Sequence, residues 1–475
     1  MKTICLDCDG TLIASDLFHE ALVRLILYQP WMIPQLIVWW AQDRHVLKRN
    51  VALLSPLEVS SLPFRHEVLA YARAEKASGA KLYLATAATE EHAKQISQYL
   101  DIFEGLFYSD QETNLKGSAK AKLLVERFGR GGFDYVGDSR ADLPVWKEAN
   151  AAVVVGNSEG LFADVQAMKS DAKRIPARQS GPRDWLTLIR AHQWAKNLII
   201  FVPLVTAHQL FNPSHFLSAV GAFLSLSFIA SATYVLNDFL DLDHDRVHRA
   251  KKWRPLASGA ITIPVALVVG LAFFVVGVGL AAFLPPLLWM CLALYVSGTV
   301  AYSFSFKKIA IADTIMLSGL YTLRLLIGHA ATDLKISVWL LAFSIFLFLS
   351  LALVKRYAEV ADLASVGKAD SSVQGRGYQA SDLWLIGALG VACGVVSVLV
   401  MILYVSSPDV SMLYAYPLLL LLLAPLFLYW VGRMWLLASR GQMHEDPVLF
   451  ALRDKTSYAV GVAIFSIIVV AMGIR

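Results

Sequence analysis

Charged side chains and cysteines are both scarce in this sequence. Asp, Glu, Lys and Arg make up 17% of the 475 residues, whereas soluble domains usually contain about 25%, and the formal net charge is only +5. This balance argues against a nucleic-acid-binding protein. The four cysteines are scattered along the chain, so no disulfide framework is predicted, and the N-terminal part suits a reducing cytosol.

Apolar residues are abundant instead, and their distribution is uneven. They form 57% of the chain. Residues 1–183 mix charged and apolar side chains as a globular domain does, and long apolar runs dominate from about residue 196. We therefore predict an α/β domain over 1–170, a polar linker over 171–184 and an all-α membrane domain over 185–475.

About nine apolar runs follow the linker, each close to the ~20 residues that a membrane-spanning helix needs. They cover 196–211, 215–236, 263–284, 285–304, 310–331, 336–354, 383–405, 412–432 and 457–474. Lys and Arg collect in the loops on one predicted side, including 246–254, 307–308 and the segment from Lys355 through Lys368 to Arg376. The other side has almost only Lys335. The positive-inside rule predicts a multi-pass protein of the inner (plasma) membrane, with the N-terminal domain and the active sites on the cytoplasmic side.

Polar residues follow the predicted strands of the N-terminal domain. Strands at the chain start, over 81–89 and within 133–146 alternate with helices, one of them over 114–129. This order predicts a parallel, Rossmann-like sheet whose C-terminal edge collects the active site. The side chains brought to this edge or close to it are Asp7, Asp9, Thr86, Lys116, Asp138 and Asp142.

These ordered motifs resemble the haloacid dehalogenase superfamily of phosphatases. By that resemblance Asp7 is the nucleophile, Asp9 is the general acid and base, and Thr86 and Lys116 hold the phosphoryl oxygens. The resemblance also implies one Mg²⁺, which is bound by the side chains of Asp7 and Asp138 and by the backbone carbonyl of Cys8, next to Asp9. Asp142 supports this metal site. Lys120 and Lys122 are alternatives to Lys116. A phosphatase fold that has no activity and serves as a tether is the competing interpretation.

Residues 17–62 interrupt the first strand-to-helix connection of this domain. They are strongly apolar and contain Trp31, Trp39 and Trp40, but Pro30 and Pro34 break the run, which argues against a membrane span. Two interpretations remain open. The segment is either a helical cap over the phosphatase site or a surface that lies on the membrane, where Trp is favoured.

Residues 237–259, which we call the acidic segment, follow directly after an apolar run. If the segment is helical, Asp238, Asp241 and Asp245 share one face, and three carboxylates there would repel one another without a cation between them. Mg²⁺ takes oxygen ligands and shares its shell with substrate phosphates, so we predict a Mg²⁺–diphosphate site. A solvated interhelical loop is the alternative. The candidates for catalysis and binding in this segment are Asn237, Asp238, Asp241, Asp245, Arg249, Lys252 and Arg254.

Further polar groups fall on the same predicted side of the membrane. Arg324 lies within a predicted span, and an intramembrane Arg is a functional-site hypothesis by default. Its alternative role is that of a structural partner for a carboxylate or for helix-end carbonyls. The candidates for substrate binding are Gln193, Lys196, Asn197, Tyr302, Lys307, Asp313, Arg324, Lys355 and Arg356.

The C-terminal part, from about residue 185, resembles the UbiA-type intramembrane prenyltransferases. The shared features are the spans, NDxxDxxxD after the second of them, and a Tyr/Lys/Asp cluster after the fourth. One departure is Leu317, which stands where the second acidic motif of the family has its second Asp. The resemblance implies at least one Mg²⁺ that helps to ionise a diphosphate.

Several ordered segments, among them HQWAKN, YSFSFKK, LVKRYAEV and GQMHEDPVLFALRD, resemble one branch of that family, the decaprenyl-phosphate phosphoribosyltransferase group. This branch implies transfer of phosphoribose from phosphoribosyl diphosphate to a polyprenyl phosphate, toward a D-arabinofuranose donor. A fused phosphatase would then remove the 5′-phosphate of the product. The runner-up function is transfer of an isoprenoid onto an aromatic or other small acceptor, and a non-catalytic scaffold or a transporter is a further alternative.

Overall fold

The computed structural model describes residues 2–109, 114–365, 376–407, 410, 413–443 and 446–473. Lys368, and His444 and Glu445 of the predicted GQMHEDPVLFALRD motif, lie outside these ranges. The chain forms two compact units. The first comprises Met1–Ile189 and Tyr234–Gly270, and the second comprises Arg190–Thr233 and Leu271–Arg475. The acidic segment thus groups with the N-terminal residues, although the sequence assigns it to the membrane domain.

The first unit contains a six-stranded sheet in which every strand pairs parallel to its neighbours. The strands are β1 (Thr3–Leu6), β2 (Lys81–Thr89), β3 (Gly105–Ser109), β4 (Asp134–Gly137), β5 (Ala152–Val155) and β6 (Lys173–Ile175), in the spatial order β3-β2-β1-β4-β5-β6. β1 lies at the centre, and its residues Ile4, Cys5 and Leu6 are fully buried, as expected of a sheet covered on both faces. The predicted parallel sheet with helices is confirmed.

Helices connect these strands and flank the sheet. The helices of the N-terminal residues are α1 (Leu17–Tyr28), α2 (Ile33–Gln42), α3 (Arg44–Leu54), α4 (His66–Ala77), α5 (Glu90–Leu100), α6 (Ser118–Phe128), α7 (Leu143–Glu148), α8 (Glu159–Met168) and α9 (Pro182–Leu188). Asp16 caps α1 by accepting from the His19 amide, and Asp43 caps α3 by accepting from the His45 amide.

The apolar segment 17–62 is helical and strongly bent. Leu17–Tyr28 and Pro30–Gln42 are together apolar enough to cross a membrane, but they meet at 110°. Leu25 of α1, Leu36 of α2 and Leu47 of α3 pack together. Trp31 is 71% exposed and Trp40 is 63% exposed, which is compatible with both predicted roles, a cap and a membrane-facing surface.

The remaining helices carry most of the apolar runs. They are α10 (Val202–Thr206), α11 (Pro213–Leu240), α12 (Leu242–Val247), α13 (Ile263–Ala281), α14 (Pro286–Phe304), α15 (Ala312–Thr332), α16 (Val338–Ser365), α17 (Leu383–Val405), α18 (Leu423–Ser439), α19 (Pro447–Ala451) and α20 (Lys455–Met472). A 3₁₀ segment, Ala191–Phe201, precedes α10.

Seven helical segments of the described residues are long and apolar enough to span a bilayer. They are Pro213–Leu240, Ile263–Ala281, Pro286–Phe304, Val338–Ala364, Ala380–Val405, Pro417–Ser439 and Lys455–Met472. Two of the predicted runs are not among them. The run 196–211 is divided between the 3₁₀ segment and the five-residue α10, and α15 is helical but carries Asp313, Arg324 and His329. Nine spans therefore stay a prediction.

Candidate functional sites

Three carboxylates meet at the C-terminal edge of the sheet. Asp7 follows β1, and Asp138 and Asp142 follow the neighbouring β4. One oxygen from each carboxylate lies within 4.8 Å of the others, an arrangement that could hold a metal ion. Gly10 has a φ of +76°, and a Cβ there would collide with the Asp138 carboxylate. The DxDGT turn therefore needs glycine at this position to bring the carboxylates together.

Lys120 is the lysine that reaches this cluster. Its ammonium lies 2.9 Å from Asp7 Oδ1 and 3.7 Å from Asp142 Oδ1, and it donates to the Tyr135 hydroxyl at 2.9 Å. Lys116 is exposed and precedes α6, and the Lys122 side chain is 81% exposed. Of the three candidate lysines, the structure therefore favours Lys120, the alternative to Lys116, because Lys120 lies on the face of α6 that is buried toward Asp7.

The carboxylates of this cluster raise one another's pKa values. Burial raises the pKa of Asp7 to about 6, although Lys120 opposes the shift. Burial, together with the negative charges of Asp7 and Asp142, raises the pKa of Asp138 to about 7. These shifts mean that one ammonium does not offset the charge of three neighbouring carboxylates. The donor set, oxygen ligands with excess negative charge, therefore fits a hard divalent cation such as Mg²⁺.

Asp9 and Thr86 lie next to this cluster. Asp9 Oδ1 accepts a hydrogen bond from the Leu17 amide at 2.9 Å, and burial, followed by the charge of Asp16, raises its pKa well above the usual value. A carboxyl that holds its proton is suited to act as a general acid. Thr86 is fully buried on β2, and the pairing of Leu84 with Leu6 puts its backbone beside the chain that follows β1.

A cleft opens beside Asp9. Its lining includes Lys48 from α3, together with Thr89 and His92. Among the described residues, Thr89 Oγ1 and His92 Nε2 are buried atoms without a hydrogen-bond partner. Buried polar atoms normally have partners, so a polar ligand is suited to this cleft. Sequence reasoning missed these three residues because no motif marks them.

Two aspartates of the acidic segment contact the same arginine. Arg254 Nη1 donates to Asp245 Oδ2 at 2.5 Å and to Asp238 Oδ1 at 3.3 Å, and both aspartates are buried. Burial raises the pKa of Asp245, although Arg254 opposes the shift. Both oxygens contact the same nitrogen atom, so one cation can lie between Asp238 and Asp245. Asp241 does not join them, because among the described residues only Asp7, Asp138 and Asp142 form a group of three acidic ligands close enough to share one ion.

The other predicted residues of this segment lie around that pair. Asn237 donates to Asp241 Oδ2 at 2.9 Å, and the amide of Asp245 donates to the carbonyl of Asp241 at 2.8 Å, which keeps helical spacing across the break between α11 and α12. Arg249 and Lys252 are exposed, and the Lys252 ammonium lies over the Trp253 ring.

A second polar cluster lies in the second unit around Asp446. Its carboxylate accepts from Lys196 at 2.8 Å and from the Tyr321 hydroxyl at 3.2 Å, and the Lys355 ammonium is 3.5 Å away. Burial would raise the pKa of Asp446, but Lys196 and Lys355 hold it well below its usual range. Asp446 was not predicted as a site residue, although it belongs to the GQMHEDPVLF motif.

Arg324 extends this cluster toward Asn197. It donates to Asn197 Oδ1 at 2.9 Å and to the Tyr295 hydroxyl at 3.3 Å, and its guanidinium lies over the rings of Tyr295 and Tyr321. Among the described residues, the cluster thus combines three cationic side chains, Lys196, Arg324 and Lys355, with the carboxylate of Asp446. Gln193 lies on the same 3₁₀ segment as Lys196.

A third cluster surrounds Asp313, which is completely buried. Its carboxylate pairs with Arg356 and accepts from the Tyr378 hydroxyl at 2.5 Å. Tyr302 accepts from Arg356 at 3.2 Å. Since these donors hold Asp313 inside the protein, the structure favours a role in fixing α15 against α16 over a role in binding metal or substrate. Lys307 lies in the short 3₁₀ turn Phe306–Lys308 after α14.

Residues 198–445 match the model of the UbiA prenyltransferase family. The chain belongs to this family. It is a transferase whose apolar helices are those of an integral membrane protein.

Relatives of the chain differ in how much of it they share. An uncharacterized protein of Sinorhizobium fredii, y4nM, is 37% identical over 99% of this chain and 91% of its own length. The nodulation protein NoeC of Azorhizobium caulinodans is 32% identical over 56% of this chain and 86% of its own. The decaprenyl-phosphate phosphoribosyltransferase of Corynebacterium glutamicum is 30% identical over 41% of this chain and 59% of its own.

Proposed function

We propose that this protein transfers 5-phosphoribose from phosphoribosyl diphosphate to a polyprenyl phosphate. The observation that carries the proposal is the cluster of Lys196, Arg324 and Lys355 around Asp446. Its excess positive charge suits substrates with several phosphate groups, whereas an aromatic acceptor needs no such charge. The similarity to the corynebacterial phosphoribosyltransferase supports the same substrate class.

The acidic segment binds the diphosphate in this proposal. Asp238, Asp241 and Asp245 would hold Mg²⁺, which neutralises the leaving diphosphate when bound. Arg254, which already contacts Asp238 and Asp245, would bind diphosphate oxygens. An oxygen of the lipid phosphate bonds to the anomeric carbon as the carbon–oxygen bond to diphosphate breaks, so no protein nucleophile is required.

The N-terminal domain then removes the 5′-phosphate from the lipid product. Asp7 would attack the phosphorus and form an aspartyl-phosphate, while Asp9 donates a proton to the leaving alcohol and later accepts one from water. Lys120 and Thr86 would hold the phosphoryl oxygens, and Asp7 with Asp138 and Asp142 would hold Mg²⁺. The buried carboxylate cluster, the contact of Lys120 with Asp7 and the cleft beside Asp9 support this assignment. The motifs of this domain also resemble those of the haloacid dehalogenase superfamily.

The test uses purified full-length protein in detergent with Mg²⁺, polyprenyl phosphate and labelled phosphoribosyl diphosphate, and follows the lipid by mass spectrometry. The parent protein should yield a ribosyl lipid, and Asp7→Asn should stop at the phosphoribosyl lipid. Asp171→Asn, which changes an exposed aspartate of the same unit, is the matched control and should behave like the parent.

Two other outcomes would redirect the proposal. Release of the 5′-phosphate by Asp7→Asn at the parental rate would refute the phosphatase role. If no labelled lipid forms, and prenyl diphosphate is consumed with an aromatic acceptor, the protein is a prenyltransferase of the kind for which the family is named.

A further inference from the structure

A buried ion pair joins the acidic segment to the first helix of the N-terminal domain. Arg246 lies on α12, directly after Asp245, and donates to both carboxylate oxygens of Glu20 on α1, at 2.6 and 2.8 Å. Each side chain is 4% exposed. Paired, planar contacts of this kind fix orientation as well as distance.

Further contacts join the same two elements. Arg24 of α1 pairs with Asp243, which also accepts from the Ser61 hydroxyl at 3.2 Å. Val23 and Leu27 of α1 pack in one cluster with apolar residues on both sides of the acidic segment, including Val235 and Ile263. Because α1 contacts the acidic segment at several points, it fixes the position of the segment.

Arg246 also links two parts of the acidic segment to each other. Its Nε donates to the carbonyl of Ala257 at 3.2 Å, so one guanidinium links α12, the chain before α13 and α1. The neighbouring Asp245 contacts Arg254. Any displacement of Arg246 would therefore move the carboxylate that is proposed to bind Mg²⁺.

The same helix begins at the phosphatase site. The Leu17 amide at the start of α1 donates to Asp9, and Glu20 lies one turn further along. A single helix of twelve residues thus contacts the proposed general acid of one site and holds the proposed metal-binding segment of the other.

We propose that Glu20 and Arg246 are positioning residues for the transferase, so that the N-terminal domain is required for the transfer step as well as for dephosphorylation. The proposal rests on the proposed function of the acidic segment. Removing one partner leaves the other charge buried and unpaired, and the segment should then lose its ordered geometry while the sheet and the carboxylates at its edge keep theirs.

The test compares Glu20→Gln with Glu104→Gln, which changes an exposed glutamate of the same unit. Hydrogen exchange over 237–259 should be at least about tenfold faster in Glu20→Gln than in the parent, while β1 and β4 exchange as before. The Mg²⁺ concentration for half-maximal transfer and the KM for phosphoribosyl diphosphate should each rise about tenfold or more. Hydrolysis of p-nitrophenyl phosphate should stay within about twofold of the parent, and Glu104→Gln should match the parent throughout.

Parental exchange over 237–259 together with parental transfer in Glu20→Gln would overturn the proposal. If hydrogen exchange of β1 and β4 is also faster in Glu20→Gln, a second variant is tested. Arg24→Gln removes a more exposed contact to the same segment, and it should speed exchange over 237–259 while β1 and β4 exchange as in the parent. Hydrogen exchange requires no substrate. If the parent forms neither a phosphoribosyl lipid nor a ribosyl lipid, but exchange over 237–259 is still faster in Glu20→Gln, the proposed function is refuted and the anchoring role is kept.

Discussion

The carboxylates at the edge of the sheet should make the stability of the N-terminal domain depend on pH and on Mg²⁺. In the folded protein the pKa of Asp138 is raised to about 7 and that of Asp7 to about 6, whereas the pKa of an Asp in the unfolded chain is about 3.9. Between those pKa values the folded state binds more protons than the unfolded state. The free energy of unfolding is therefore higher at low pH and falls as the pH rises toward 7.

The size of the effect follows from the shift of Asp138. Each pH unit across which the folded state holds one extra proton changes the free energy of unfolding by about 1.4 kcal/mol. From about pH 5 to about pH 7.5 the metal-free domain should therefore lose about 2–3 kcal/mol through Asp138. Mg²⁺ bound at the cluster would replace the protons, so at saturating Mg²⁺ the loss should disappear.

Hydrogen exchange of the β1 and β4 amides in the full-length protein, corrected for intrinsic rates, measures this free energy. The comparison is parent against Asp138→Asn, each in EDTA and in Mg²⁺. The difference isolates the carboxyl from other titrating groups, such as buried His92, whose pKa is lowered by burial and whose effect on stability has the opposite sign. Asp138→Asn should be the more stable protein in EDTA at about pH 7.5 and should gain little from Mg²⁺. The same pH dependence in parent and variant, or equal stabilisation of both by Mg²⁺, would refute the reasoning.

Three further predictions concern single side chains. Lys120→Met should lower the kcat of the proposed phosphatase by about 10²-fold or more because it removes the cation that contacts Asp7, whereas Lys116→Met should stay within about twofold; the opposite ranking would favour Lys116. Asp245→Asn should lower phosphoribosyl transfer by about 10²-fold and leave p-nitrophenyl phosphate hydrolysis unchanged, and equal loss of both would indicate a general folding defect. Lys48→Ala should raise the KM of the proposed phosphatase for the phosphoribosyl lipid by about fivefold with a smaller change in kcat, since Lys48 lines the cleft beside Asp9. A fall in kcat alone would contradict that role.

The sequence by itself determined the features that depend on near neighbours along the chain. β1 is a short apolar strand followed by Asp7 and a glycine turn, and these local rules are enough to predict a parallel sheet with carboxylates at its edge. The apolar runs likewise predict membrane helices by composition alone, and the NDxxDxxxD spacing led to the UbiA family, which the family match confirms.

Only the tertiary structure decided which distant side chains become partners. Lys196 and Asp446 are separated by 250 positions, and Glu20 and Arg246 by 226, so no periodicity or motif connects them. The choice of Lys120 over Lys116 has the same origin, because the start of α6 at Ser118 turns only Lys120 inward. A buried charge must find a partner in whatever packs against it. That partner is set by the packing of helices and strands, and not by spacing along the chain.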